Sequence, residues 1–254
     1  MGRVSFRIIL SINKRILKYA VNLQIINVNP ADNVIVPKNK KNISKKKELK
    51  FFETSQLKQF KDYLDGLPNT FKNYYHKTLY LTLLATGLRI GEAVALEWSD
   101  IDLEKGIVSI NKTLNRYQEV NPPKSKAGYR DISIDKATIL MLKQYKNRQQ
   151  VQSWQLGRSE KVVFSVFTEK YDYACNLRRR LDKHFKNAGV TNVSFHGLRH
   201  THATIMLYAG IQPKDLQHRL GHSDISMTLN TYVHATKEGA QKSASIFENA
   251  INSL

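Results

Sequence analysis

Residues 72–97 read KNYYHKTLYLTLLATGLRIGEAVALE, and this stretch decides the fold class. Its first half is apolar on most sides of a helix, at positions Tyr75, Leu79, Leu81, Leu83 and Leu84. We therefore predict a buried helix over 72–86, ended by Gly87, because glycine readily adopts the left-handed conformation of a helix end. A second short helix should follow at 89–97. A helix buried on most sides needs other helices around it, which indicates a mainly helical domain.

Composition restricts the class of partner. The chain has 254 residues, with 40 Lys and Arg against 21 acidic residues and a formal net charge of +19. Such an excess indicates a polyanionic partner, and composition does not choose among DNA, RNA and an acidic membrane surface. Cys175 is the only cysteine, so a disulfide framework within the chain is excluded and a reducing, cytoplasmic setting is expected. No apolar run approaches the roughly 20 residues that span a bilayer.

The first fifty residues predict a helix and a basic linker. Residues 5–24 have apolar residues at helical spacing, interrupted by basic ones, which favours an amphipathic helix over a signal peptide. The pair Asn29-Pro30 should stop that helix. Seven lysines follow, at positions 38, 40, 41, 45, 46, 47 and 50. This run is either a solvated tether or a tether that also lies against phosphates.

The remaining chain predicts helices around a small antiparallel sheet. Thr54 is a candidate N-cap for a helix through Leu64. Alternating residues predict strands at 107–110 and 132–134, joined through a loop, 121–128, that presents Lys124 and Lys126. Further helices are predicted at 135–152, 171–187, 196–209, 213–220, 225–234 and in the tail, with a short strand at 162–166. The fold class is therefore α+β, mainly α.

Three stretches place charged or titratable side chains at helix boundaries. They are ATGLRIGEA at 85–93, HGLRHTHAT at 196–204, and LGHS at 220–223 with Tyr232 ten residues after His222. Arg89 begins a helix directly after a buried one. A charged residue at that position could bind a ligand, or it could simply form a salt bridge with Glu92, which lies one helical turn further on.

The second stretch puts His196 and Arg199 on one helix face. The planar guanidinium of Arg199 beside the titratable ring of His196 suits the oxygens of a phosphate. The alternative is that His196 only caps the helix or packs in the core, beside an arginine on the surface. His196 and His200 also have metal-ligand spacing, but the HExxH glutamate is absent and the nearby basic residues oppose a divalent cation. We predict no metal site. His222, which follows Gly221, is either a functional residue or a purely structural one.

Taken together, the three stretches resemble the motifs of the tyrosine recombinase (phage integrase) family. The first resembles the family's first arginine motif and continues through LEWSDID at 96–102. The second resembles its His-x-x-Arg box. The third resembles its Leu-Gly-His segment, with the nucleophile downstream in NTYVH at 230–234. The resemblance covers roughly residues 46–254.

The resemblance implies a reaction and a set of catalytic residues. Tyr232 would attack the phosphorus of a DNA phosphodiester, forming a 3′-phosphotyrosyl link and releasing a 5′-hydroxyl. Arg89 and Arg199 would hold the charge on the non-bridging oxygens, with no metal or other cofactor. His196 would assist proton movement at Tyr232, and His222 would donate to a phosphate oxygen.

It also implies two accessory functions. A lysine of the 121–128 loop would protonate the leaving oxygen. Lys126 fits the turn spacing of the family better than Lys124, which would then contact phosphate, and a solvated loop tip is the alternative for both. Glu92 resembles the acid that braces the first arginine.

The domain boundaries follow from the same resemblance. Residues 1–37 resemble the closing helices of the family's helical core-binding domain, 38–50 form a basic linker whose Lys45, Lys46 and Lys47 are expected to bind DNA, and 51–254 form the catalytic domain. Counterparts of the earlier core-binding helices are missing. A truncated, non-cleaving DNA-binding protein on this scaffold is therefore the main alternative, and a type IB topoisomerase is a third.

The expected partner is double-stranded DNA, with no membrane, and the expected assembly on DNA is a homo-tetramer. One face of a C-terminal helix is apolar, at Ile246, Phe247, Ala250, Ile251 and Leu254. In the family, a C-terminal segment is often exchanged between protomers. Packing of this face on its own domain is the alternative.

Overall fold

The computed structural model describes residues 3–35, 51–165, 171–224 and 226. The chain divides into two compact units, Met1–Glu48 and Leu49–Leu254. Every helix within the described ranges is too short or too polar to cross a bilayer.

The first unit contains one long helix, α1 (Arg3–Asn22), close to the predicted 5–24. The predicted stop at Asn29-Pro30 is wrong in position, because α1 already ends at Asn22, where the N–H of Ile25 donates to the carbonyl of Ala20 (3.0 Å) and Gln24 has φ +58°. Asn29 instead holds the loop that follows. The side-chain amide of Asn29 donates to the carbonyl of Lys14 (3.0 Å), and its Oδ1 accepts from the N–H of Ala31 (3.0 Å). These bonds fold the loop back against the helix. The lysine run lies outside the described residues.

The second unit begins with three helices, α2 (Thr54–Asp65), α3 (Phe71–Thr86) and α4 (Ile90–Ala95). The prediction of Thr54 as an N-cap is wrong by one residue, because Glu53 holds the cap position. The main-chain bond from Leu57 to the carbonyl of Glu53 (2.9 Å) sets this helix start, and no side chain caps it. The predicted end of α3 is confirmed, since Gly87 has φ +68°.

The predicted antiparallel sheet is confirmed with one addition. Strands β1 (Ile101–Asp102), β2 (Ile107–Ile110) and β5 (Arg130–Ser133) pair in the order β1-β2-β5. Between β2 and β5 lies an unpredicted hairpin of β3 (Thr113–Leu114) and β4 (Val120–Asn121). Its turn depends on Asn115, whose Oδ1 accepts from the N–H groups of Tyr117 and Glu119. Two-residue strands show no periodicity, so the sequence pattern missed them.

Four further helices complete the described part of this unit. They are α5 (Lys136–Gln155), α6 (Ala174–Ala188), α7 (Phe195–Tyr208) and α8 (Pro213–Leu220). All four predictions are confirmed, although α6 begins three residues later than expected. The predicted helix at 225–234, except for residue 226, and the C-terminal helix lie outside the described residues.

The predicted strand at 162–166 is wrong within its described part. Val162 makes only an isolated bridge to Glu97. The side-chain amide of Gln149, on α5, donates to the carbonyls of Val162 (3.1 Å) and Val163 (2.9 Å). A side chain has taken the bonds that a neighbouring strand would need, so this buried apolar run stays irregular.

The core of the second unit surrounds α3, which packs against both α5 and α7. Tyr75, Leu79 and Leu83 are buried, as the sequence predicted. Phe60 of α2 and Phe185 of α6 extend this core, with ring centroids 4.9 Å apart. The core fixes α3, and the predicted charged residues begin just beyond its C-terminal end.

Candidate active site

Arg89 lies at the N-cap of α4, directly after the left-handed turn at Gly87. Its Nη1 lies 2.9 Å from Oε1 of Glu92, so the ordinary salt bridge exists. Its Nη2 also donates to the carbonyl of Gly221 (3.2 Å), at the far end of α8. Arg89 therefore joins two of the three predicted stretches while its side chain stays 43% exposed and accessible to a ligand.

Arg199 is the most deeply buried of the predicted site residues on α7. Ser194 caps that helix, with its hydroxyl accepting from the N–H of Gly197 (3.1 Å). The guanidinium of Arg199 donates to the carbonyls of Gly87 (2.9 Å) and Leu220 (2.6 Å). Burial, and then Arg89, lower the pKa of Arg199 to about 9. The side chain therefore remains a cation at neutral pH.

His222 follows the C-cap of α8. Gly221 has φ +65°, and a Cβ there would lie 2.8 Å from Nη1 of Arg130. This turn exposes the carbonyls of Leu220 and Gly221 to the two arginines. His222 itself is buried, and its burial, followed by Arg199, lowers its pKa to about 3.

His196 and His200 lie next to each other on α7, with ring centroids 4.3 Å apart in an edge-to-face arrangement. Burial, and then Arg199 and Arg89, lower the pKa of His196. Burial and His196 lower that of His200 to about 4. The imidazoles of the site are therefore neutral at neutral pH. Within the described ranges, no three His, Cys, Asp or Glu side chains form a group that could hold a metal ion.

Glu92 is buried and is held by two arginines. Arg130, whose side chain is fully buried, places Nη2 2.9 Å from Oε2 of Glu92, and Arg89 pairs with Oε1. Burial opposes ionisation of Glu92, but the hydrogen bonds from Arg130 and Arg89 outweigh it and lower its pKa. The sequence identified Glu92 but not its partner Arg130. The alternation of β5 can place Arg130 on the buried face, but it does not show which residue Arg130 contacts.

The site rests on the C-terminal ends of two helices. Each end has main-chain carbonyls that no helical N–H satisfies. Side chains of other elements donate to them, at the carbonyls of Leu84, Ala85 and Gly87 at the end of α3, and of Arg219, Leu220 and Gly221 at the end of α8. The partial negative charge of a helix C-terminus favours the cations that bind there. Main-chain carbonyls thus bind several arginines close together, so that the site does not need a carboxylate partner for each of them.

Lys124 and Lys126 lie on the loop before β5, and both are exposed. Lys126 begins a 3₁₀ turn, Lys126–Gly128. The carbonyl of Ala127 lies 2.9 Å from the Cβ position of Gly221, so this turn touches the end of α8. Lys126 is therefore adjacent in sequence to a residue at the site. Tyr232, Lys45, Lys46 and Lys47 lie outside the described residues.

Fold and site together define a class: a mainly helical α+β domain with arginines and histidines gathered at two helix ends. The profile of the phage integrase family matches residues 21–239, and the chain belongs to that family.

Its relatives agree with this assignment. The chain is 31% identical over 205 residues to a XerC-like tyrosine recombinase of Caldanaerobacter subterraneus, covering 74% of this chain and 51% of that protein. It is 28% identical to the ICEBs1 integrase of Bacillus subtilis, covering 87% of this chain and 58% of that one. The chain thus spans about half the length of the curated relatives it matches.

The fold also matches a solved structure of the Tn1549 transposon integrase in complex with transposon right end DNA. The TM-score is 0.73 at 23% identity, covering 96% of this chain and 79% of the other. At this identity, the similarity shows the fold.

Proposed function

We propose that this chain is the catalytic part of a site-specific recombinase that cleaves and rejoins DNA through a 3′-phosphotyrosyl intermediate. The observation that carries the proposal is the convergence of Arg89 and Arg199 on the adjacent carbonyls of Gly221 and Leu220. Two permanent cations held at one point suit the non-bridging oxygens of a phosphodiester, whose negative charge grows in the transition state. The net charge of +19 supports a DNA partner.

The histidines would handle protons in their neutral form. His196, whose pKa is lowered, can accept the proton of an attacking tyrosine hydroxyl. His222, neutral for the same reason, can donate its N–H to a phosphate oxygen. Lys126 would protonate the leaving 5′ oxygen, because its turn lies against Gly221. Lys124 would contact a flanking phosphate, and Glu92 would fix Arg89 in place.

Tyr232 would be the nucleophile, attacking phosphorus to displace the 5′ oxygen. The covalent bond stores the energy of the cleaved linkage, so a second DNA hydroxyl can reverse the step without ATP. Tyr232→Phe removes one oxygen and no positive charge. It should abolish the covalent adduct while DNA affinity is kept, since affinity rests on many phosphate contacts.

The test begins by finding a DNA site. The wild-type chain is incubated with sheared DNA of the source organism, and DNA that stays attached through a denaturing wash is sequenced. The recovered site is then synthesised as a duplex with a nick close to the cleavage point. Cleavage releases a short fragment that carries the free 5′-hydroxyl, and the adduct is trapped because this fragment diffuses away. Wild type should give a slowly migrating band on a denaturing gel, and Tyr232→Phe none.

The outcomes separate the alternatives. A wild-type chain that binds DNA but never becomes attached would be a non-cleaving DNA-binding protein. An adduct that leads only to relaxation of supercoils, without strand exchange, would indicate a topoisomerase. An adduct that persists in Tyr232→Phe would assign the nucleophile elsewhere.

Cleavage should also survive excess EDTA, because the arginines stabilise the phosphate charge that a metal ion would otherwise stabilise. A strict requirement for Mg²⁺ would contradict this mechanism.

We also propose that the enzyme acts on DNA as a homo-tetramer that exchanges its C-terminal helix, with residues 1–37 and Lys45, Lys46 and Lys47 contacting the duplex. The apolar face from Ile246 to Leu254 supports the exchange. Deleting residues 243–254 should weaken cooperative assembly on a two-site DNA more than binding to a single half-site. Equal losses in the two binding assays would instead indicate packing on the same protomer.

A further inference from the structure

Arg219, the last-but-one residue of α8, makes three side-chain hydrogen bonds to three different elements. Its Nη2 donates to the carbonyl of Ala85 (3.0 Å) at the end of α3, and its Nη1 to the carbonyl of Ser133 (3.1 Å) at the end of β5. Its Nε donates to Nε2 of His202 on α7 (3.1 Å). One guanidinium therefore ties α8 to α3, α7 and the sheet.

His202 completes this connection. Its Nδ1 lies 2.7 Å from the carbonyl of Leu84 and must carry the proton, since a carbonyl only accepts. Its Nε2 then accepts from Arg219, which is always a donor. His202 is buried and fits this position only as the neutral ring in one tautomer. The last turn of α3 thus receives one hydrogen bond from His202, at Leu84, and one from Arg219, at Ala85.

The main chain of Arg219 is fixed as firmly as its side chain. Its carbonyl accepts from Nε of Arg130 (2.8 Å), the arginine that also holds Glu92. The next two carbonyls, of Leu220 and Gly221, are the ones that receive Arg199 and Arg89. A shift of Arg219 would therefore move the acceptors that aim both of these side chains.

We propose that Arg219, seated on His202, is a positioning residue that holds Arg89 and Arg199 in the geometry needed for phosphoryl transfer. Arg219 is too involved with protein acceptors to contact DNA itself. The inference rests on the proposed function for its catalytic consequence, but the positioning can be measured without turnover. A purely structural Arg219 would affect the free energy of unfolding and leave the two arginines in place in the folded molecule.

The test compares Arg219→Lys with Arg148→Lys in the full chain. Lysine keeps the charge but cannot form the three-way fork. Arg148 is a matched control on α5, because it too donates a hydrogen bond (2.6 Å, to Asn69) and contacts an aromatic ring, that of Tyr74. Tyr74 lies near the start of α3, at the end opposite to the site. His202→Leu provides a second variant in case Arg219→Lys does not fold, because leucine removes both hydrogen bonds of the ring.

The first measurement is exchange of guanidinium protons with water, followed by nitrogen-15 NMR. In Arg219→Lys, exchange at Arg199 and Arg89 should be about tenfold faster or more than in wild type, and unchanged in Arg148→Lys. Unchanged exchange in a folded Arg219→Lys would overturn the proposal, whatever the activity of the chain. If Arg219→Lys is unfolded, the same criterion applies to His202→Leu.

The second measurement is the single-turnover rate of adduct formation at saturating DNA. Arg219→Lys should lose about 100-fold, the usual effect of a misplacement of about 1 Å. The loss should be smaller in an Arg199→Lys background, because one of the two positioned arginines is already gone. Equal losses in both backgrounds would overturn the proposal. A wild-type chain that forms no adduct would instead contradict the proposed function, and proton exchange would still decide the positioning.

Discussion

Arg199 is a buried cation whose charge is matched by main-chain carbonyls. The sequence predicted that it shares a helix face with His196, and that much follows from spacing alone. Its acceptors, the carbonyls of Gly87 and Leu220, could not be predicted, because they belong to two other stretches that only the fold brings together. For the same reason, the sequence pattern assigned no role to Arg130 or Arg219.

Replacing Arg199 by lysine should separate its charge from its geometry. A lysine ammonium cannot span the carbonyls of Gly87 and Leu220 and still face a ligand, whereas the guanidinium has five donors. We expect adduct formation to slow by about 100- to 1000-fold. DNA affinity should change little. Arg178→Lys on α6, which likewise replaces a guanidinium by an ammonium, beside Asp182, is the control. A rate within threefold of wild type for Arg199→Lys, on the order of 0.7 kcal/mol, would contradict the assignment.

Lys126 and Lys124 can be distinguished by the leaving group. If Lys126 is the general acid, Lys126→Ala should slow cleavage by about 100- to 10,000-fold. A DNA in which sulfur replaces the bridging 5′ oxygen leaves as a thiolate that needs little protonation, so this substrate should restore the rate. Lys124→Ala should weaken binding and show no such rescue. Rescue of Lys124→Ala instead would reverse the two assignments.

Secondary structure shows where sequence patterns succeed. The buried helix α3 and the amphipathic helices are long enough for periodicity to reveal them, and their ends agree with the predictions to within about three residues. The failures are short elements whose hydrogen bonds come from side chains. Gln149 occupies the carbonyls of the predicted strand at 162–166, and Asn115 builds the β3–β4 turn. Such contacts depend on the fold and leave no periodic signal.

The end of α8 should tolerate no side chain at Gly221. A Cβ there meets Nη1 of Arg130 at 2.8 Å and the carbonyl of Ala127 at 2.9 Å, and φ is +65°. Gly157 is a matched control, with φ +63° and nothing within 4 Å. Urea unfolding should show a loss of roughly 1–2 kcal/mol for Gly157→Ala, from the backbone alone. Gly221→Ala should lose at least about 1 kcal/mol more, since overpacking adds to the strain; equal losses would show that the contact relaxes freely.

The described part of the second unit contains six histidines whose pKa is lowered. They are His76, His184, His196, His200, His202 and His222. Burial is the main cause for each, and nearby arginines add to it. Burial thus keeps these imidazoles neutral, and Arg89, Arg199 and Arg219 at the two helix ends add to the effect for the four histidines on α7 and just after α8. The consequence for the molecule is a stability that depends on pH.

The direction of that dependence follows from linkage. A histidine whose folded pKa lies below its unfolded value binds more protons in the unfolded chain, so its contribution is present above about pH 6.5 and is lost as the pH falls towards the folded pKa. For His202 that value is about 4, and the facing charges are Arg219 and Arg199. His202 alone should contribute a loss of about 2 kcal/mol in the free energy of unfolding between pH 7 and pH 5.

Urea titrations at pH 7, 6 and 5 measure this loss, in a range where most carboxylates remain ionised. His202→Gln should reduce the slope of stability against pH, because glutamine does not titrate, even though the variant is less stable at pH 7. His218→Gln is the control, since His218 is exposed on the same helix, α8, as Arg219. Stability that is flat between pH 7 and pH 5, or a slope unchanged in His202→Gln, would show that His202 can be protonated in the folded chain. The neutral ring would then not be what holds Arg219.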